Sequence, residues 1–498
     1  MAPPENSSRP ARSECGKRTY RGDAENAEKL VICLLPSLRL VLVPFAASTL
    51  ALGPQPDLGA IDRYVRAEMQ LNQIPGLSLS VVRGEDVLFT RAYGVASLAT
   101  GAAMTPDTPV ELASLSKPFT ALAIAQLEKD GKLELDVPVS AYLSEFDAEH
   151  GLTVRHLVEH TSGLRRKDDF QAPCCGKPGE HDLKLAVTRL RAVDPHPPRG
   201  PGFRYANSNY VLLAAIIERV SGESFPAYME RRVFGPLGMN RTTLDRRKAL
   251  AWGLAEGHER QWGRMRPSRI WTGWYGASLV KSTANDMARY MAALVGGTAG
   301  SLGLPPPEQK PYAVGWFIRR NPERPGGVFL EHTGSTWGCN TAAVIALDSR
   351  LAVVVLINAG ARRAGVIARG VLARTAGLPG PKPGAEPWTG IPDFWAISFT
   401  VAAAVILVNL AVYLSRSRRE FRLGERSYAG LGNPWTTARA FLLAAMGIAV
   451  PFVLLVGPQP MAAFPATVRV GLPLLAGATS ALLLSSAVLG VFPKKGSA

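Results

Sequence analysis

Two groups of short apolar runs frame a long helical stretch. Residues 77–82 and 86–93 are rich in apolar and β-branched side chains on either side of Gly84-Glu85, which predicts a hairpin. Residues 312–319, 328–332, 341–348 and 351–357 read as successive strands broken by Gly, Pro or Asp. Between the two groups, residues 114–129 and 210–220 repeat apolar positions at helical spacing. Strands at both ends with helices between them predict an α+β domain: one antiparallel sheet plus a helical lobe.

The pattern changes after this region. Residues 395–414, 440–457 and 470–492 are three runs without a charged side chain. Each is close to the roughly 17–25 residues that a helix needs to cross a bilayer. Arg416, Arg418, Arg419, Arg422 and Arg426 lie between the first and second runs, and Lys494 and Lys495 follow the third. The segment 458–469 between the second and third runs holds only Arg469. By the positive-inside rule the basic segments face the cytoplasm, and everything before Trp395 lies outside it. Residues 30–53, interrupted by Pro36, Arg39 and Pro44, read as a signal peptide or an uncleaved signal anchor behind a polar N-terminal segment. The expected organisation is a polar and signal segment at 1–53, an exported globular domain at 54–390, and a membrane domain with three transmembrane helices at 391–498. A lipid bilayer is therefore one expected partner.

Composition narrows this further. With 47% hydrophobic residues in 498, global disorder is excluded, and five cysteines are too few for a disulfide scaffold. A net charge of +16 on a chain only 19% charged points to a nucleic-acid surface or to basic membrane flanks. The arginines sit directly beside an apolar run, so no nucleic-acid partner is expected. Cys174 and Cys175 are adjacent in a loop-like stretch and read as two surface thiols.

Ser114 and Lys117 stand three residues apart at the predicted start of a helix, and so share a face. A serine hydroxyl is a weak nucleophile until a base takes its proton, and a lysine can be that base if burial lowers its pKa. The helix N-terminus would also favour a developing alkoxide. Tyr205 and Asn207 precede the second helix; a tyrosine can relay a proton, and an asparagine can both donate and accept toward a substrate. His332, Thr333, Gly334 and Ser335 end a predicted strand. There the first two would face a substrate and the glycine would let its backbone come close. The Ser335 amide would pair with the Ser114 amide as an oxyanion hole. A competing arrangement is His156-Leu157-Val158-Glu159-His160, whose two histidines would share a helix face as zinc ligands of a metallopeptidase. The aromatics Trp271, Trp274, Tyr275 and Trp337 are candidates for an acyl pocket.

Taken in this order, the three serine-hydrolase motifs resemble the serine β-lactamase-like group close to class C: β-lactamases, low-molecular-weight DD-peptidases (penicillin-binding proteins) and related esterases. The resemblance runs from about Asp62 to Ala359. It takes in Ile74-Pro75-Gly76, His160-Thr161-Ser162-Gly163-Leu164, Phe234-Gly235-Pro236-Leu237-Gly238-Met239 and Ser282-Thr283-Ala284-Asn285-Asp286. It implies an antiparallel sheet flanked by helices with an all-helical lobe. It also implies Ser114 as the acylated nucleophile, Lys117 as its base partner, Tyr205 as proton shuttle, Asn207 as a substrate-orienting group and His332 as the basic position on an edge strand. Histidine stands where many β-lactamases have lysine, so a substrate carboxylate is held less firmly. The implied activity is acyl-enzyme hydrolysis of an amide, ester or lactam in a small-molecule or peptidoglycan-like substrate, without metal or organic cofactor. The implied location is the outer side of a bacterial cytoplasmic membrane. The alternative is a non-catalytic module that binds cell-wall peptide or lipid.

Overall fold

The computed structural model describes residues 56–146, 151–170, 182–192, 202–261, 263–268, 273–298, 311–320 and 327–386, with scattered positions between 404 and 424. Of two compact units, Met1–Leu52 lies outside the described residues, and Gly53–Ala498 carries all that follows.

Helix α1 (Leu58–Leu71) precedes a hairpin of β1 (Gly76–Arg83) and β2 (Asp86–Gly94). The chain then leaves the sheet through β3 (Val110–Glu111), α2 (Lys117–Lys129), α3 (Val154–Val158), α4 (Leu183–Leu190), α5 (Asn207–Ser221), α6 (Phe225–Tyr228) and α7 (Arg246–Ala251). A small hairpin of β4 (His258–Gln261) and β5 (Arg264–Pro267) follows, then β6 (Lys281–Ser282) and α8 (Ala284–Ala293). It returns as β7 (Tyr312–Ala313), β8 (Trp316–Arg320), β9 (Val328–Ser335), β10 (Asn340–Ala346) and β11 (Leu351–Ile357), and closes with α9 (Ala364–Thr375). The main sheet has the order β2-β1-β11-β10-β9-β8-β7, with antiparallel neighbours throughout.

The near-continuous apolar runs of β1, β10 and β11 follow from helices on both faces. Along these strands alternate residues enter two separate cores, as the two-residue period of a strand requires. Leu77, Leu79, Val353, Val355, Ala342 and Val344 pack with Ile61 and Val65 of α1 and Ile367 and Val371 of α9. Val354, Leu356, Ala343 and Ile345 turn the other way, into the helical lobe with Phe119, Leu213 and Tyr290.

Two elements depart from the sequence reading. Residues 312–319 were expected as one strand; they form the β7–β8 hairpin, broken at Val314 and Gly315, which both take positive φ (48° and 82°). Gly315 is required there, because a Cβ would lie 2.6 Å from Pro118 Cα at the start of α2. The helix expected from residue 114 begins at Lys117, after a 3₁₀ turn at Ala113–Ser116. Ala113 sits at φ 50°, which no α-helix accommodates.

The apolar runs 440–457 and 470–492 lie outside the described residues, as does residue 395–414 apart from a few positions. Of those few, Val408 and Val412 are helical and exposed. Among the described residues no helix is long and apolar enough to cross a membrane. Cys174 and Cys175 also lie outside them.

Candidate active site

The segment that carries Ser114 is anchored from three sides. The Leu112 amide donates to the Val280 carbonyl (2.9 Å), and the Val280 amide donates to Ser116 Oγ (3.1 Å). The Leu112 carbonyl accepts from Thr341 Oγ1 on β10 (2.8 Å). Gly334 on β9 lies so close that a Cβ there would be 1.9 Å from the Leu112 oxygen. The glycine at 334 is thus required by the chain's own backbone, which passes beside the Ser114 segment. Asn340 then fixes the strand end by donating to the Gly334 carbonyl (2.8 Å). Gly334→Ala is expected to lower stability by at least about 2 kcal/mol, because backbone rather than a flexible side chain must move; thermal denaturation against wild type measures it.

Lys117 is fully buried, and its Nζ meets three oxygens: Asn207 Oδ1 at 2.8 Å, the Ala277 carbonyl at 3.0 Å and Ser114 Oγ at 3.2 Å. Burial pushes its pKa down from 10.5 to about 7, against the opposing pull of Asp169. A neutral amine has two N–H groups and one lone pair. Asn207 Oδ1 and the Ala277 carbonyl can only accept, so they take the two protons. The lone pair is left to Ser114.

The Tyr205 ring lies 4.8 Å from Lys117 Nζ. Burial pushes the phenol pKa up, against the opposing pull of the neighbouring Ser114 side chain, so the phenol stays protonated near neutrality. Its ring packs on His160 (centroids 4.5 Å) and stacks with Phe317 (6.1 Å, 11°).

Asn207 opens α5 rather than preceding it. Its Nδ2 donates to Asp169 Oδ2 (2.9 Å), while Asp169 Oδ1 accepts from the Ser208 amide (2.8 Å) and hydroxyl (2.9 Å). Asp169, buried and lying 38 residues upstream of Asn207, carries no recognisable pattern in the sequence. Neither does the Ala277 carbonyl. Its turn is held by Thr120 Oγ1, which donates to the Gly276 carbonyl (2.8 Å), and by Gly276, where a Cβ would meet the Tyr210 oxygen at 2.0 Å.

His332 departs from the expectation of a basic, substrate-facing group. It is 1% exposed. Its Nδ1 donates to the Thr333 carbonyl (3.0 Å), so its Nε2 accepts from the Tyr312 hydroxyl (3.2 Å). Burial, reinforced by Lys117, pushes its pKa down to about 3, which leaves it neutral. Nor is β9 an edge strand: it lies between β10 and β8. The ladder with β8 covers only Val328 to Glu331, however, so on that side Thr333 to Ser335 run past it. Thr333 is exposed and points to the opposite face, where a Cβ at Gly365 of α9 would approach its methyl to 3.4 Å. His332 and Thr333 therefore project from opposite faces of β9, as strand alternation dictates. Ser335 is exposed at the strand end, beside the segment that Gly334 brings against Leu112.

The zinc arrangement is not formed. Helix α3 ends at Val158, and His160 follows it at φ 56°, so the two rings do not share a helix face. His156 Nδ1 bonds within a capping box to Thr153. His160 Nδ1 accepts from the Ala206 amide (3.3 Å) and Asn209 Nδ2 (2.8 Å). Two of the four acyl-pocket aromatics, Trp274 and Tyr275, are adjacent and belong to the packing of the helical lobe. Trp274 is buried in the lobe, Tyr275 leans on Phe225 of α6 (5.7 Å), and Trp271 lies outside the described residues.

A family model for beta-lactamases matches residues 61–377. The chain belongs to the beta-lactamase family. Among curated members it is 30% identical over 308 residues to a penicillin-binding protein of Bacillus subtilis (strain 168), covering 55% of this chain and 66% of that one. It is 31% identical over 265 residues to a beta-lactamase of Escherichia coli (strain K12), covering 51% and 65%. The chain thus spans just under two thirds of the length of these relatives. Among solved structures, the octameric penicillin-binding protein homologue from Pyrococcus abyssi superposes with a TM-score of 0.58 at 25% identity, covering 66% of this chain and 78% of that one. The class C beta-lactamase from Rhodobacter sphaeroides does so with a TM-score of 0.52 at 26% identity, covering 63% and 98%. Within this family frame the α+β fold, with its antiparallel sheet and helical lobe, stands as expected from the sequence.

Proposed function

We propose that the chain is a serine hydrolase that works through an acyl-enzyme. Ser114 attacks an amide, ester or lactam carbonyl while Lys117 takes its proton. Tyr205, beside the same hydroxyl, hands a proton to the leaving group. The Ser114 and Ser335 amides stabilise the oxyanion, and water then releases the acyl group. The observation that carries this reading is the environment of Lys117 Nζ. Two acceptor-only oxygens claim its protons, and the remaining direction is the nucleophile.

Peptidoglycan-like peptides, esters and β-lactams all fit this chemistry. The neutral His332 removes one cation that would hold a substrate carboxylate, which weighs against β-lactam turnover as the native reaction. An extracytoplasmic, membrane-anchored placement is supported by the three apolar runs after Trp395 and the arginines that follow the first.

The base must be neutral to act. Activity is therefore expected to be low in acid and to rise as pH passes up through about 7, the value to which Lys117 is pushed. A kcat/KM profile on a chromogenic ester checks this. The acyl-enzyme itself predicts a burst of about one leaving group per protein before the steady state, insensitive to EDTA. Linear release from time zero that EDTA abolishes would count against the serine mechanism.

A further inference from the structure

The Asn207 amide could present either of its ends to Lys117, and the two ends have opposite consequences. With Oδ1 toward the lysine, the amide accepts an N–H and leaves the lone pair for Ser114. With Nδ2 toward it, the amide would donate to that lone pair and compete with the serine proton. What decides the orientation is Asp169. Its Oδ2 accepts from Asn207 Nδ2 (2.9 Å), and its Oδ1 is locked by the Ser208 amide (2.8 Å) and hydroxyl (2.9 Å). The carboxylate is 2% exposed and sits at the N-terminus of the 15-residue helix α5, where the helix dipole favours an anion. All three of its described partners are donors, as an ionised carboxylate requires.

We propose that Asp169 is a positioning residue for the catalytic base: it holds the Asn207 amide so that Oδ1 faces Lys117, and it is the anion whose field reaches the lysine. This rests on Lys117 acting as the base of Ser114. The other groups around the lysine supply no charge that would substitute. They are the Ser114 hydroxyl, the Ala277 carbonyl, the phenol rings of Tyr205 and Tyr210, and the imidazoles of His160 and His332, both held neutral by burial.

The test uses Asp169→Asn and Asp169→Ser in the full chain, with Ser114→Ala as control. In Asp169→Asn the new amide can still accept from the Ser208 amide, but it offers a donor to the Asn207 donor, so the Asn207 amide turns over. Asp169→Ser keeps an oxygen at the helix start and removes the charge. Burst amplitude on a p-nitrophenyl ester counts competent sites, so a folding defect is separated from a catalytic one. Per competent site, kcat/KM is expected to fall about tenfold in Asp169→Asn. In both variants the acidic limb should move to lower pH by about half a unit or more, because loss of a nearby anion disfavours the ammonium. A purely structural Asp169 would lower the number of competent sites and the melting temperature, and would leave that limb in place. A limb unmoved in both variants, with per-site rates within about twofold of wild type, overturns the positioning role alone. A burst that persists in Ser114→Ala overturns the serine reading and this proposal with it.

Discussion

Ser114→Ala is expected to lower kcat by at least about 10⁴-fold while the fold persists. Alanine removes the oxygen that would form the acyl bond, and the described hydrogen-bond partners of Lys117 Nζ beyond Ser114 are an amide oxygen and a backbone carbonyl, neither of them a hydroxyl. Structurally the change is small. Ser114 lies in the 3₁₀ turn whose neighbours Leu112 and Ser116 are tied to Val280, and neither tie involves the Ser114 side chain. The lost bond to Lys117 is worth on the order of 1 kcal/mol. Steady-state kinetics alongside a thermal melt therefore should show activity gone and the transition nearly in place. A fall of tenfold or less would mean that another group carries the chemistry.

Lys117→Met is the second large effect, with kcat/KM expected to drop about 10³-fold, the scale of a lost general base. Methionine keeps much of the length and removes the amine. This variant also isolates a stability effect. In the folded chain Lys117 titrates near 7, and unfolded near 10.4. Between those values the unfolded state binds more protons, so the lysine makes stability rise with pH across that window. From pH 7 to pH 9 the wild type should gain about 2 kcal/mol from this one group. Lys117→Met should lack that gain, and denaturant unfolding at the two pH values compares them.

The parts of this site that are legible in the sequence are local. Ser114 and Lys117 stand one helical turn apart and Tyr205 and Asn207 two residues apart, so short patterns point to them. The structure brings Ser114, Lys117, Tyr205 and Asn207 around one nitrogen and one hydroxyl. The parts that are not legible depend on distant chain. Asp169 reaches Asn207 from a separate segment, and the Ala277 oxygen is main chain, which no side-chain pattern announces. His332 reads as a cation by residue type and becomes neutral through its burial among Tyr312, Phe317 and Tyr205. In the fold, the central strands are legible because both faces are covered, which makes them largely apolar. The β7–β8 turn is not, because Val314 takes a positive φ that its side chain disfavours.

The central claim is that Ser114 becomes acylated. The most direct measurement is peptide mapping by mass spectrometry after brief incubation with a labelled penicillin and, separately, a fluorophosphonate. At least one probe should leave a single adduct on the peptide containing Ser114, absent from Ser114→Ala and slowed in Lys117→Met. An adduct on another residue, or none from either probe while the enzyme still turns over ester, would contradict the account.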